Sequence, residues 1–468
     1  MGAQSGRRPR AVPQVRDQGI GLRGAPGRAL GGSGALRASI LSFLWLASEK
    51  LLRIITGVFV GLWIARYLAP QQFGVYMYAL AWVGLFNGIA WFGVGENVIR
   101  NLVRSPDSEG ELMGAAFAIR LIGSLLAGSL AVGGILLSGE SDPALVPLVI
   151  LMSLAIPFAE MPAGIFMYFQ SRLQVARPVL LQNLVRIAGA AMRVGLILGG
   201  FSLPWFGAAV LAESIGIFLV LFGLYWAGGG SFRSWRFEWS SILLMLRQGT
   251  PIALAAVVAS LNARIDQLML GWLAGFSEVG LYGAALRFSE FWWTFAPVVM
   301  NSLSPKYIFN ISDQEQLKQN IAKIMALLGL ISFIPVILIM LSGEYLVPLL
   351  LGEQYASALP VLYVHVIIAV CVFFDAPLSQ YLLANNRQHQ MVWKSVFMLV
   401  INAMLNFALV RHFGALGAAM ATLAAYIITL AVFYRLVPGY TDLAHLQRAA
   451  LGFAARVCIG RGGLRPSA

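Results

Sequence analysis

Apolar runs of about twenty residues recur along nearly the whole chain, and each is long enough to cross the ~30 Å hydrocarbon core of a bilayer as a helix. Of the 468 residues, 59% are hydrophobic and only 11% are charged. The period-two alternation of a membrane β-barrel is absent. Because lipid offers no hydrogen-bond partners to the backbone, the sequence predicts an all-α polytopic membrane protein.

Twelve membrane-spanning helices are predicted from these runs. They cover about 41–66, 73–95, 112–137, 144–169, 179–199, 204–227, 250–272, 279–302, 321–342, 360–384, 392–411 and 414–437. Basic loops, such as those with Arg172 and Arg233, alternate with acidic loops such as those with Glu140 and Glu278. Since positive loops stay in the cytoplasm, both termini are predicted to be cytoplasmic.

An internal repeat divides the chain into two halves. Gly-Val-Tyr-x-x-Ala-Leu at 74–80 returns as Gly-Leu-Tyr-x-x-Ala-Leu at 280–286, and Phe-Gly-Ala at 206–208 returns at 413–415. Six spans per half is an even number, so the copies enter the membrane in the same direction, as parallel repeats. We therefore expect two six-helix lobes related by this repeat around a central cavity.

The repeat and the composition together predict five segments. They are a disordered basic cytoplasmic tail (1–38), an N-terminal lobe (39–227), a cytoplasmic linker (228–248), a C-terminal lobe (249–437) and a basic cytoplasmic tail (438–468). Two alternatives for residues 1–38 are an extension upstream of the true start and an arm that grips anionic lipid. The first segment is not a cleaved signal peptide, because a full-length span follows it.

Several function classes are disfavoured by the sequence. The net charge of +13 arises largely from seven arginines in the first 37 residues and from span ends, where basic residues set orientation or meet anionic lipid, so nucleic acid is not the expected partner. There is no Gly-x-x-x-x-Gly-Lys-Ser/Thr motif for a nucleotide-driven pump, and no ligand spacing for a metal. No large loop is available for a catalytic site, so we expect neither an enzyme nor a resident cofactor.

Charges inside the predicted spans mark a polar path. Span 250–272 carries Arg264 and Asp266, and span 279–302 carries Arg287 and Glu290. Each charge at the bilayer centre costs about 2.5–3.5 kcal/mol, so such residues usually face a bundle interior or a wet cavity. The repeat places valines opposite Arg264 and Asp266 in the first half, which favours function over packing, although drift after duplication gives the same result.

Some of these charges have both a functional and a local interpretation. Glu49 with Arg53, and Arg287 with Glu290, have helical spacings at which they also form simple ion pairs. Other candidates, each with packing as its alternative, are the cation or proton sites Asp266, Asp375 and Glu160, and the anion-binding pair Arg186 and Arg193.

Three motifs stand out in the order and spacing of the chain. They are Arg-Ile-Asp-Gln-Leu-Met-Leu-Gly at 264–271 with Val-Gly-Leu-Tyr-Gly-Ala-Ala at 279–285, Leu-Ala-Pro-Gln-Gln-Phe-Gly-Val-Tyr at 68–76, and Leu-Gly-Glu-Gln-Tyr at 351–355. Together they resemble polysaccharide exporters and O-antigen flippases of the multidrug/oligosaccharidyl-lipid/polysaccharide exporter superfamily. The similarity covers about residues 39–437.

This resemblance implies a cargo and a location. The cargo is a polyprenyl-pyrophosphate-linked oligosaccharide, a repeat unit of O-antigen, capsule or exopolysaccharide, moved by alternating access across a bacterial inner membrane. Cationic side chains would offset the desolvation of the pyrophosphate, which makes Arg53, Arg264 and Arg287 the first candidates for substrate binding, with Lys50, Arg186 and Arg193 beside them. Asp266, Glu290, Asp375 and Glu160 are the candidates for coupling to a proton or sodium gradient.

Three other functions compete with this one. A multidrug exporter of the same superfamily would carry cationic cargo, which a cavity rich in arginine disfavours. A membrane-embedded polysaccharide polymerase would need a loop with catalytic residues. A scaffold for glycosyltransferases has no direct support; the polymerase and the glycosyltransferases are instead expected as partners, beside the lipid-linked substrate and the bilayer.

Overall fold

Helices make up nearly all of the computed structural model, which describes residues 32–140 and 142–458; those two ranges contain no strand. The sixteen α-helices are α1 (Gly32–Leu85), α2 (Asn87–Trp91), α3 (Glu96–Arg104), α4 (Glu109–Leu137), α5 (Leu145–Ser171), α6 (Ala176–Leu198), α7 (Leu203–Ala227), α8 (Trp239–Ala274), α9 (Phe276–Trp293), α10 (Phe295–Ser304), α11 (Gln314–Ile331), α12 (Phe333–Leu351), α13 (Leu359–Ala384), α14 (Gln388–Ile428), α15 (Tyr434–Leu436) and α16 (Thr441–Cys458). Short 3₁₀ turns cover Pro106–Ser108, Phe232–Ser234 and Glu353–Ala358, and π-helical turns cover Pro305–Phe309 and Thr429–Phe433. The predicted tails at residues 1–31 and 459–468 lie outside the described residues.

Nine helical stretches in the described part of the chain are long and apolar enough to span a membrane. Two of the longest contain sharp breaks. In α1, Ala69 has φ 59° and ψ 168° just before Pro70, and in α14, Gly414 has φ 54° and ψ −131°. Ala69 lies between two predicted spans and Gly414 is the first residue of the last one, so each of these helices corresponds to two spans. The chain is an all-α, multi-pass membrane protein, and its helices are consistent with twelve crossings.

Two helices begin or lie where the sequence predicted no span. Helix α8 starts at Trp239, within the predicted linker, and α16 occupies most of the predicted C-terminal tail. The apolar face of α16, including Leu443 and Ala450, packs into one core cluster with Ile321 of α11. The sequence analysis did not predict this helix because it looked for continuous apolar runs, whereas an amphipathic helix has polar residues between the apolar ones.

The two halves of the chain meet where α1 crosses α9. A Cβ atom added to Gly74 would collide with the carbonyl oxygen of Phe276, and one added to Gly280 would collide with that of Pro70. Each glycine therefore packs on the carbonyl four residues before the other. Gly74 and Gly280 are equivalent in the two sequence repeats, and this reciprocal contact has the form of a two-fold interface, which is consistent with the predicted repeat.

A second close approach joins the halves at α2 and α8. The backbones of Gly93, after α2, and Gly249, in α8, lie too close for a side chain on either one. Gly88 of α2 likewise packs on Val257 of α8. The space that contains Arg264, Arg287 and Glu290 is lined by parts of α1, α5, α7, α8 and α9, among others.

Candidate functional site

Helix α9 forms a wall shared by three cavities. The central cavity, of about 410 Å³, is lined from the first half by Met77, Gly84, Ile156, Glu160 and Ser214 and from the second half by Arg264, Arg287 and Glu290, among others. Arg287 also lines a basic cavity of about 220 Å³, and Glu290 also lines an acidic cavity of about 390 Å³. The spacing of three residues between them places Arg287 and Glu290 one helical turn apart, so α9 connects all three spaces.

The central cavity contains two guanidinium groups without carboxylate partners. Neither Arg264 nor Arg287 forms an ion pair with any residue that the structure describes. Arg287 Nη2 has only the weak acceptor Met77 Sδ, at 3.5 Å, and its Nε is buried without a partner. The local ion pair between Arg287 and Glu290, one of the two sequence interpretations, does not form. Glu290 lines the same cavity and interacts electrostatically with Arg264, so the two guanidinium groups exceed this carboxylate by one positive charge, which suits binding of an anion.

The basic cavity is bordered by a network of three arginines and two glutamates. Glu49 accepts hydrogen bonds from Arg53 at 2.7 Å and from Arg186 at 3.2 Å. Glu213 pairs with Arg193 at 2.7 Å and with Arg186 at 3.6 Å. The network carries one net positive charge, and Arg287 adds a second charge at the cavity wall. The ion pair that the Glu49–Arg53 spacing allows therefore forms, and Glu49 shares its charge with Arg186 as well.

Arg186 and Arg193 therefore do not form a free anion-binding pair in this state, because both lie against Glu213. Lys50 does not join the site either: it is exposed and lines none of the three cavities.

Asp266 is the centre of the acidic cavity. Its carboxylate is buried and accepts hydrogen bonds from Tyr282 (2.9 Å), Thr422 (2.7 Å) and Asn406 (2.9 Å). Asn406 also donates to Asn402 at 2.9 Å. All of these partners are neutral, and no described lysine or arginine pairs with Asp266. The partners of Asp266 therefore come from α9 and from both parts of α14.

Unpaired oxygens lie near this carboxylate. Asn406 Oδ1 and Gln267 Oε1 are buried side-chain acceptors without a donor. Together with the carboxylate they form an oxygen-rich environment, which fits a hard cation or a proton. His365 extends the network, because its ring contacts the Tyr282 hydroxyl at 3.2 Å and the Ser289 hydroxyl at 2.8 Å. Within the described ranges, no group of three or more His, Cys, Asp or Glu side chains is arranged to hold a metal ion.

Asp375 lies in the same cavity with a cation of its own. Its carboxylate accepts from Lys394 Nζ at 2.6 Å and from the Tyr434 hydroxyl at 2.7 Å. Lys394 is a buried lysine on α14 that the sequence interpretation missed, because it lies close to the start of a predicted span, where lysines commonly reach water.

Glu160 faces the central cavity but is also paired. Arg120, which is 1% exposed, contacts Glu160 Oε2 at 2.6 Å and also donates to the carbonyl of Val94.

Sequence analysis missed several site residues, all of which are polar residues within apolar helices: Asn402, Asn406, Thr422, Tyr282 and Lys394. Asn402 and Asn406 are four residues apart and therefore share one face of α14. Two amides on one face of an apolar helix could have indicated a buried polar site from the sequence.

The amino-acid sequence is similar to proteins of polysaccharide biosynthesis. The family model described as "Polysaccharide biosynthesis protein" matches residues 63–360. The lipopolysaccharide biosynthesis protein WzxC of Escherichia coli (strain K12) is 24% identical over 355 residues, which are 73% of this chain and 69% of that protein.

Solved transporter structures share the fold. The lipid II flippase MurJ, in an inward closed conformation, aligns with a TM-score of 0.64 at 15% identity over 90% of this chain and 94% of its own. An inward-facing multidrug resistance MATE family transporter aligns with a TM-score of 0.66 at 13% identity over 87% and 98%. Because the family model covers more than half of the residues, the chain belongs to the polysaccharide biosynthesis protein family.

Proposed function

We propose that this protein is a flippase that moves a polyprenyl-pyrophosphate-linked oligosaccharide, a repeat unit of a bacterial surface polysaccharide, from one leaflet to the other by alternating access. The observation that carries the proposal is the pair of unpaired guanidinium groups, Arg264 and Arg287, in the cavity between the two halves. The lipid tail of such a cargo is soluble in the hydrocarbon core of the bilayer, whereas the pyrophosphate needs a polar environment.

The charges of the cavity suit that headgroup. An ionised group in an apolar medium costs many kcal/mol unless it is paired, so a transported pyrophosphate needs cations along its path. Guanidinium groups bind phosphate oxygens through two parallel hydrogen bonds. Arg287 lines both the central and the basic cavity, so it gives the anion access to Arg53, Arg186 and Arg193 once their carboxylate partners are displaced.

The relatives agree with this cargo class. One is named a lipopolysaccharide biosynthesis protein and another a lipid II flippase. A flippase changes the position of its cargo and breaks no covalent bond, so the proposal assigns no enzymatic step. It places the protein in the bacterial inner membrane with both termini in the cytoplasm, where glycosyltransferases supply the cargo and a polymerase receives it on the far side.

The test is translocation of a fluorescent lipid-linked sugar across proteoliposomes by purified protein. Arg264→Ala and Arg287→Ala are expected to abolish translocation while the protein stays folded in detergent. Arg172→Ala is the matched control, because Arg172 is exposed and paired with Glu109. Translocation at the normal rate by both cavity variants would rule out the proposed role of the two arginines.

We further propose that Asp266 couples transport to a proton or sodium gradient, with Asn402, Asn406 and Thr422 as its supporting groups. The carboxylate has only neutral partners, so a bound cation or proton would supply the missing neutralisation. Glu290 links this cavity to the central one, and Asp375 is already neutralised by Lys394.

Asp266→Asn removes the charge and keeps the size, so transport should lose most of its dependence on the gradient. Asp375→Asn should change that dependence less. If the gradient dependence of Asp266→Asn matches that of the parent protein, Asp266 has no coupling role.

A multidrug exporter is the second candidate, and the acidic cavity is the observation that favours it. Asp266, Glu290 and Asp375 outweigh Lys394 by two negative charges, which suits a cationic cargo, and the fold is shared with a MATE family transporter. Efflux of a cationic dye from proteoliposomes separates the two functions: export of the dye without movement of the lipid-linked sugar would favour the exporter.

A further inference from the structure

Helix α1 presents a glycine to each of the two unpaired guanidinium groups. A Cβ atom placed on Gly61 lies 3.4 Å from Nε of Arg287, and one placed on Gly84 lies 3.3 Å from Nε of Arg264. In both cases the nearest atom is Nε, and the side-chain Cδ is the next nearest. The missing side chains of the two glycines thus leave the space beside the Nε edge of each guanidinium group.

We propose that Gly61 and Gly84 are positioning residues for an anion site of the diphosphate class: each leaves the space in which one arginine adopts the orientation that lets its terminal nitrogens bind the anion. This inference rests on the proposed function. It adds two residues without charge or polarity, which no search for functional side chains would select.

The physical reason lies in the tightness of both contacts. At 3.3–3.4 Å, a methyl group on either glycine would push its arginine away by a few tenths of an ångström. Two parallel hydrogen bonds to phosphate oxygens require the plane of the guanidinium group to be aligned, so small displacements weaken them. The obstacle is a flexible side chain and not backbone, and alanine favours a helix more than glycine does, so the variants should fold.

The two halves of the chain each supply one part of this arrangement. The glycines belong to α1 of the first half, and the arginines belong to α8 and α9 of the second half. The space that surrounds each arginine therefore depends on how the two halves pack together. Binding of the anion should accordingly favour the state with the halves in contact, because a ligand shifts an equilibrium toward the state that it binds more tightly.

The experiment measures binding of inorganic pyrophosphate to the purified full-length protein in detergent by titration calorimetry. Gly61→Ala and Gly84→Ala should each raise the Kd about tenfold, which is the scale expected when one charge-assisted hydrogen bond is lost. The control is Gly223→Ala in α7, where an added Cβ meets nothing within 4 Å, and its Kd should stay at the parent value.

Double variants distinguish positioning from a general disturbance of the helix. Gly84→Ala should have no further effect once Arg264→Ala is present, and it should keep its full effect in the presence of Arg287→Ala. The inference is overturned if Gly61→Ala and Gly84→Ala bind pyrophosphate like Gly223→Ala, or if their effects persist without the partner arginine. If Arg264→Ala and Arg287→Ala themselves bind pyrophosphate normally, the proposed function fails, and this inference fails with it.

Discussion

The pair Arg120–Glu160 gives a quantitative test of how charges are tolerated inside this protein. Arg120 is 1% exposed, and its charge is compensated by Glu160, whose side chain is 23% exposed toward the central cavity. Glu160→Gln keeps the shape of the partner and removes its charge. The guanidinium group of Arg120 is then left buried without a counter-ion.

The expected cost follows from the burial of the two groups. Removing one member of a buried pair destabilises proteins by about 3–5 kcal/mol, since the remaining charge is uncompensated. Glu160 faces a cavity and water can relieve part of this cost, so we expect about 3 kcal/mol for Glu160→Gln. Arg120→Met should cost less, because the carboxylate that remains can be hydrated. The double variant should recover part of the loss, with a coupling energy of about 0.5–3 kcal/mol.

Equilibrium unfolding in mixed detergent micelles measures these free energies. The exposed pair Arg172–Glu109 is the control, with side chains 47% and 29% exposed, and Glu109→Gln should cost about 0.2–1 kcal/mol. If Glu160→Gln costs no more than Glu109→Gln, the reasoning about burial is wrong. If Glu160→Gln also alters the gradient dependence of transport, Glu160 takes part in coupling in addition to its structural role.

Three further perturbations test the fold around the site. Gly74→Ala and Gly280→Ala should lower the thermal stability to a similar degree, because each Cβ collides with a carbonyl of the other half; clearly unequal losses would contradict the reciprocal contact. Gly414→Ala should cost about 1–3 kcal/mol in the same unfolding assay, since φ 54° with ψ −131° strains an L-residue, and a neutral result would show that this break relaxes easily. Deletion of residues 441–468 should lower the unfolding temperature by uncovering Ile321 and its neighbours, whereas an undocked tail could be removed without effect.

Much of the architecture was predictable from the sequence because its causes are local. A run of about twenty apolar residues forms a helix in lipid whatever its neighbours do, since the backbone has no other partner there. The all-α class and the multi-pass character follow from that alone. The same argument identified Arg264 and Asp266 as candidate site residues. A charge within an apolar run has a free-energy cost in the membrane whatever the tertiary fold is.

The partners of those charges were decided by the tertiary structure. Helical spacing permits both Glu49–Arg53 and Arg287–Glu290, yet only the first pair forms. Arg287 instead lies against Gly61 and Met77, while Glu290 lines the acidic cavity. Spacing along one helix sets which residues are able to meet, whereas neighbouring helices determine which of them do.

The packing of the helices therefore determines which charged side chains have no ion-pair partner. The sequence predicted Asp375 and Glu160, like Asp266, as candidate coupling residues. In the structure, Lys394 pairs with Asp375 and Arg120 pairs with Glu160, each from another helix. Asp266 receives hydrogen bonds only from neutral donors, and Arg264 forms no ion pair with the described residues. The sequence alone determined that charged groups lie within the membrane; which of them stay uncompensated depends on contacts between distant segments, and no local pattern encodes those contacts.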